Sequence, residues 1–348
     1  MPKNFTMRSF ASDNNSGVHP AVMNAIVKAN VDHAVGYGDD PYTDEAVKAV
    51  RSVFGNTADV FFVFNGTGAN VVALKACTQP FHAIIAAETA HIAVDECGAP
   101  VAQTGCLLKE IATTNGKLTP KLIQTRLTGF GEVHHSQPKV VYLAQCTELG
   151  TVYTIDEIKR IADFIHGYGM YLHMDGARLA NAAVSLGCSL KEMTVDAGVD
   201  ILSFGGTKNG MMIGESVISF RKELSENLGY IRKQSAQLYS KMRYVSCQFT
   251  AYLQNNLWQK NAAHANEMAQ KLKNGLEQIA PIEFTQSVDA NILLLRLPRK
   301  MIPVLQKDYF FYIWNETNDE IRLVTSFDTT QNDIECFLTD FEQIYKSL

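Results

Sequence analysis

The sequence predicts an α/β fold built on a mostly parallel sheet, and three observations carry that reading. Strand-like and helix-like stretches alternate through the middle of the chain. The strands are apolar almost without a break, as strands covered on both faces are. Three of them end in glycine-rich or polar segments, at the edge where α/β sheets bind ligands.

Taken in order, DVFFVF (59–64) is a buried strand, and GTGANVVALKAC (66–77) is a tight turn that opens a helix. FHAIIAA (81–87) and KVVYLAQ (139–145) are strands. TIDEIKRIADFIHGYG (154–169) is a helix: Thr154 and Glu157 form a capping box, apolar residues fall at 155, 158, 161, 162 and 165, and glycine stops it. MYLHMD (170–175), ARLANAAVSLG (177–187) and DILSFGG (200–206) continue as strand, helix and strand. Past about residue 220 the pattern changes to a long helical tract, roughly 221–276. Strands follow in NILLLRL (291–297), DYFFYIW (308–314) and EIRLVTSF (320–327), and TQNDIECFLTDFEQIYKSL (330–348) closes as an amphipathic helix. A boundary near 250 divides a large domain, 1–250, from a smaller α+β domain, 251–348.

The 348 residues are enough for about two domains. A net charge of −5 provides no basic field for nucleic acid or an anionic membrane. The seven cysteines (77, 97, 106, 146, 188, 247 and 336) form no C-x-x-C or paired metal-ligand spacing, so they read as the reduced thiols of a cytosolic protein. MPKNFTMRSFASDNNSG, at the start, lacks the apolar region of a signal peptide, and no run approaches the roughly 18 apolar residues of a membrane span. The expectation is a soluble, cytoplasmic protein.

LSFGGTKNGM (202–211) places one lysine, Lys208, in an apolar and glycine-rich setting with no other charge nearby. A desolvated lysine has a depressed pKa and becomes a usable nucleophile. NGTGAN (65–70) offers backbone amides and a hydroxyl at a helix start, the parts of a phosphate cradle, although a simple glycine turn with Thr67 as N-cap explains it as well. The dinucleotide fingerprint fails because Val71 stands where its third glycine would be, and a P-loop lysine is missing. In MDGAR (174–178), Asp175 either caps the next helix or holds a protonated heterocyclic nitrogen, and Arg178 can grip a carboxylate. Phosphate cradle, aspartate and isolated lysine together match the needs of pyridoxal 5′-phosphate. His134 and His135, in the polar loop GEVHHSQP, read as solvated side chains, since no zinc spacing surrounds them.

SDNNSG, YGDDPYT, FNGTGANVVAL, ETAHIAVDECGAP, TELGTVYTIDEI, HMDGARLANA, FGGTKNGM and IRLVTSFDTT occur in order from about residue 10 to 330, and in them the chain resembles the L-threonine aldolase family, in its low-specificity and phenylserine branch. The resemblance implies a type I pyridoxal-phosphate transferase fold of the aspartate aminotransferase superfamily. That fold has a mostly parallel seven-stranded sheet in the large domain and works as a homodimer or homotetramer. It implies that Lys208 bears the cofactor, Gly66 and Thr67 bind its phosphate with help from Thr207, Asp175 pairs with the pyridine nitrogen, and His91 stacks on the ring. Without the motif around it, a lone histidine such as His91 would be read as structural. Ser12, Arg178 and Arg322 are implied to bind the substrate carboxylate, and Tyr42 and Arg243 match positions that reach across the subunit interface. CTELG departs from the better-known branch by placing Glu148 where that branch has a histidine, which leaves His91, Glu148 or a bound water as the base.

The implied reaction is retro-aldol cleavage of a β-hydroxy-α-amino acid, L-threonine or L-allo-threonine, to glycine and acetaldehyde. Phenylserine cleavage, β-elimination and transamination are the neighbouring alternatives. A cofactor-binding protein without turnover is a further one, opposed by the presence together of Lys208, Asp175, Arg178 and Arg322.

Overall fold

The structure is a computed structural model that describes residues 8–347. Residues 1–7, the head of the segment read as lacking a signal-peptide core, lie outside the described residues, as does Leu348, the last residue of the stretch read as the closing helix.

Helices α1 (Pro20–Ala29) and α2 (Pro41–Phe54) precede strand β1 (Asp59–Val63), and α3 (Gly66–Cys77) follows it. Then come β2 (His82–Ala87), the short α4 (His91–Val94) and α5 (Ala99–Thr104), β3 (Leu107–Ile111), α6 (Pro120–Gln124) and β4 (Gln137–Ala144). α7 (Ile155–His166), β5 (Tyr171–Gly176), α8 (Leu179–Leu186), β6 (Ile201–Gly205) and β7 (Glu215–Ser219) complete the large sheet. The rest runs through α9 (Lys222–Ser225), α10 (Leu228–Gln234), α11 (Arg243–Leu253) and α12 (Leu257–Ile279). β8 (Glu283–Phe284), β9 (Ile292–Arg296), α13 (Ile302–Leu305), β10 (Tyr312–Asn315), β11 (Glu320–Val324) and α14 (Gln331–Lys346) end it.

Seven strands form one sheet in the order β1-β7-β6-β5-β4-β2-β3, and only β7 runs against its neighbours. Successive side chains of a strand point to opposite faces, and here both faces are apolar. Leu172, Met174, Leu202 and Phe204 pack with α7, α8 and α11 on one side. Val140, Tyr142, Ile201 and Val217 pack with α3 and α10 on the other. A second sheet, order β10-β11-β9-β8, is antiparallel and packs Leu293, Leu295, Ile321 and Leu323 against α12 and α14. Phe10 joins this second core, and the chain beside it meets the segment ahead of β10 through an isolated Ser9–Phe310 bridge. Among the described residues no helix is long and apolar enough to cross a membrane.

The fold class and the seven-stranded sheet agree with expectation, but three local readings change. Three strands escaped the reading: β3 is an edge strand with Leu107 exposed, β7 buries Glu215, Ser216 and Ser219, and β8 is only two residues long, so none looks like an apolar run. The tract 221–276 is four helices, broken where Ala236, Asn255 and Asn256 take left-handed backbone angles (φ 58, 52 and 55°). Only the end of DYFFYIW is strand, because Tyr309 and Phe311 turn into the second core before β10 begins.

Candidate active site

The carboxyl ends of β1, β2, β4, β5 and β6 lie along one edge of the sheet, and each connection leaving that edge brings at least one functional group. β6 passes through Gly206 into a single 3-10 turn, Thr207–Asn209. A Cβ on Gly206 would lie 2.7 Å from the Met211 sulfur and 2.8 Å from the Tyr252 ring, so glycine is what lets the turn approach. The turn sets Lys208 in a cavity of about 540 Å³ shared with Gly66, Thr67, His91, Thr207 and Glu215. Among the described residues Lys208 Nζ forms no hydrogen bond or ion pair. Burial lowers its pKa and the nearby Arg178 charge adds to that, while Asp13, Asp175 and Glu215 restore part. The net shift favours the neutral amine.

Asp175 ends β5 and is 7% exposed. Its Oδ2 accepts hydrogen bonds from Asn70 Nδ2 (2.8 Å) and Tyr142 Oη (2.7 Å), and its Oδ1 accepts one from the Ala177 amide (2.9 Å). Burial alone would raise its pKa, but these donors and Lys208 more than offset that, so the group stays ionised. A carboxylate fixed by three donors, beside Lys208 and next to Ala177 of the cavity wall, is suited to hold one protonated nitrogen.

Asn70 also donates to Glu96 Oε1 (2.7 Å), which meets His91 Nδ1 at 2.8 Å. This bond raises the His91 pKa against the effect of burial. The amide of His91 donates to Glu148 Oε1 (2.7 Å), and burial pushes the Glu148 carboxyl up to about 7. A continuous polar chain thus links Asp175 to both candidate bases.

Arg178 is clamped by Asp13, with Nε and Nη2 donating to the two carboxylate oxygens at 2.7 and 2.8 Å. Burial works against the Arg178 cation, and the Asp13 charge outweighs it. Arg322, on β11 of the second sheet, is less engaged. Among the described residues it has one hydrogen bond, from Nη2 to the Ala11 carbonyl (3.3 Å), and a buried, unpartnered Nε. The rings of Trp314 and Tyr312 lie 4.7 and 5.8 Å from its guanidinium. Burial and the Arg178 charge pull its pKa down to about 10. Arg322 therefore has donors to offer an incoming carboxylate, whereas Arg178 supplies charge through a pair already made.

At the start of α3, Asn65 is the N-cap, its side chain accepting from the Gly68 amide (2.7 Å). Thr67 is thus not the cap. Its hydroxyl is left to face the cavity with the Gly66 backbone, and a Cβ on Gly66 would meet nothing within 4 Å. Gln237 covers the same helix end, its Oε1 accepting from the Phe64 amide (3.0 Å). Two free amides, a hydroxyl and open space at a helix N-terminus are suited to bind an anion.

Residues 9–298 match the family model of the beta-eliminating lyases. The chain belongs to that family. It is 40% identical to the low specificity L-threonine aldolase of Pseudomonas sp. (strain NCIMB 10558) over 339 residues, which is 97% of this chain and 98% of the relative. The corresponding Pseudomonas aeruginosa protein is 42% identical over 88% of this chain and 89% of its own length. Among solved structures, a Leishmania major threonine aldolase superposes with a TM-score of 0.92 at 31% identity, covering 97% of this chain and 99% of that one. A Thermus thermophilus aspartate aminotransferase, 14% identical with a TM-score of 0.73 over 97% of this chain and 91% of its own, shares the fold.

The groups at this beta-eliminating lyase site fit pyridoxal 5′-phosphate: an anion cradle on α3, an unpartnered amine, and a fixed ionised carboxylate. Not every residue singled out in the sequence comes together there. Ser12 lines a separate polar cavity with Ser326 and Asp328, and its hydroxyl accepts from the Asn14 amide (3.2 Å). Tyr42 lines a groove between α1, α2 and α11. Arg243 opens α11 and donates to the Val31 (2.9 Å) and Asp32 (3.4 Å) carbonyls. His134 and His135 are exposed ahead of β4.

The structure adds Asp13, Asn70, Glu96, Tyr142, Glu215 and Gln237. Two of these left a trace in the sequence: Asn70 is one helical turn past Gly66, on the same face of α3, and Glu96 lies five residues past His91. The other four are joined to the site only by tertiary contacts.

Proposed function

We propose that the protein cleaves L-threonine or L-allo-threonine to glycine and acetaldehyde with pyridoxal 5′-phosphate. The observation that carries this is Lys208, an amine without a partner set between an anion cradle and an ionised carboxylate. The near full-length identity to low specificity L-threonine aldolases supports the choice of reaction.

When bound, the cofactor supplies a conjugated ring that accepts the electron pair left by the broken Cα–Cβ bond. Lys208 would hold the cofactor through its amine, whose pKa burial lowers. Gly66, Thr67 and Thr207 hold the phosphate, and Asp175, anchored by Asn70, Tyr142 and Ala177, keeps the ring nitrogen protonated. Arg322 grips the substrate carboxylate with its spare donors, and the Asp13-clamped Arg178 adds positive charge beside it. Positioning of this kind can supply several kcal/mol of the barrier. The β-hydroxyl proton goes to a base as the Cα–Cβ bond breaks and the aldehyde leaves, and a proton returned to Cα completes glycine. Glu148, with a carboxyl near 7, suits this base, and His91 packs beside it with Nε2 left free by the Glu96 bond.

Tyr42 and Arg243 lie away from the Lys208 cavity of their own chain, which supports a homodimer or homotetramer in which they complete a neighbour's site. The test of the reaction is product analysis with L-threonine. Acetaldehyde and glycine in equal amounts are expected, and 2-oxobutanoate with ammonia would instead show β-elimination.

A further inference from the structure

Glu215 opens β7 and shares the cavity with Lys208, Thr67 and Thr207. It is 8% exposed and packs so closely on β6 that a Cβ on Gly205 would fall 1.9 Å from its Oε2. The carboxyl group is therefore held in one place. The titratable and charged groups that face it are Lys208 on the turn after β6, Asp175 at the end of β5 and Tyr252 on α11. Thr207 lines the same cavity, and its amide and hydroxyl pull the Glu215 pKa down against burial. No part of the mechanism above uses this carboxylate, and it sits among the donors assigned to a phosphate.

Two anions drawing on the same donors repel each other unless one of them carries a proton. We propose that Glu215 and a phosphate monoester compete for Thr207, and that docking of the phosphate adds one proton to Glu215. This rests on the cofactor reading given above. Burial lifts the Glu215 carboxyl to about 7, against the pull of Thr207 and Lys208. A phosphate that claims Thr207 removes one of those pulls and adds a like charge, which drives the group further toward its neutral form.

The sign of the pH dependence follows. Below about pH 7 Glu215 is already protonated and docking needs no proton. Above it, each bound phosphate must take up one, so affinity falls about tenfold per pH unit.

The test is calorimetric titration of the full chain, freed of cofactor, with pyridoxine 5′-phosphate between pH 7 and 9. This probe has the phosphate but no aldehyde for Lys208, and its phosphate, with a second ionisation near pH 6, is close to fully ionised across the range. Wild type is expected to lose about tenfold in affinity per pH unit, while Glu215→Gln stays level and binds more than tenfold tighter at pH 8.5. A wild-type affinity that is constant from pH 7 to 9 overturns the inference without any variant, and so does an equal slope in Glu215→Gln. In either case the cofactor reading stands, because the probe has bound. Failure to bind at any pH removes that reading and this inference with it.

Discussion

Glu148 has its carboxyl pushed up to about 7 by burial, and one oxygen accepts the His91 amide. A base of that strength is half ionised near neutrality, where general-base catalysis is most effective. The rate constant kcat is therefore expected to rise with pH through about 7 as Glu148 loses its proton. Glu148→Gln should lower kcat about 10²-fold and abolish that limb. A full-strength limb in the variant would transfer the role to His91. Residues such as Lys208, Asp175 and Gly66 were legible in the sequence because each lies at or just past the end of an apolar strand, so fold and chemistry are written side by side. Asp13 was not, because its partner Arg178 lies 165 residues away, nor was Tyr142, 33 residues before Asp175. Their meaning depends on the strand pairing and loop packing that bring them together.

The connection from β6 to Lys208 shows what an element contributes. β6 is buried along its whole length, so Gly206 can shift little, and Met211 and Tyr252 occupy the space beside it. Gly206→Ala must push against a buried aromatic ring. It should lower the midpoint of thermal unfolding by several degrees and reduce kcat by displacing the lysine, as measured by calorimetry and by steady-state kinetics. Unchanged values in both would mean that the turn is looser than its packing indicates. The α7 helix was predicted nearly to its ends because its capping box is local, with the Thr154 hydroxyl accepting from the Glu157 amide and Glu157 returning a bond to the Thr154 amide. β7 was not, because a strand that buries a glutamate and two serines has no apolar signature, and its place between β1 and β6 is set by the sheet. The helical tract misled for a related reason. Asparagine at 255 and 256 permits a reversal, but only the packing of α12 against α8 and α14 requires one.

Two sheets contribute to the site. The large sheet supplies Lys208, Asp175 and the anion cradle, and the second sheet delivers Arg322 on β11. We propose a division near residue 250, and Phe10 reaches from the N-terminal segment into the second core. If Tyr42 and Arg243 serve a neighbouring subunit, mixing subunits of Lys208→Ala and Arg243→Ala should restore about a quarter of wild-type activity, since half of randomly formed dimers then hold one intact site. No recovery in co-purified hybrids would confine both residues to their own chain. The roles of Asp175, Arg322 and the anion cradle all depend on Lys208 as the residue that bears the cofactor. The most direct measurement is to load the protein with pyridoxal 5′-phosphate, reduce it with borohydride, digest it and locate the stable adduct by mass spectrometry. The account predicts the added mass on the peptide that contains Lys208 and its loss in Lys208→Ala. An adduct on any other lysine, or none, would contradict it.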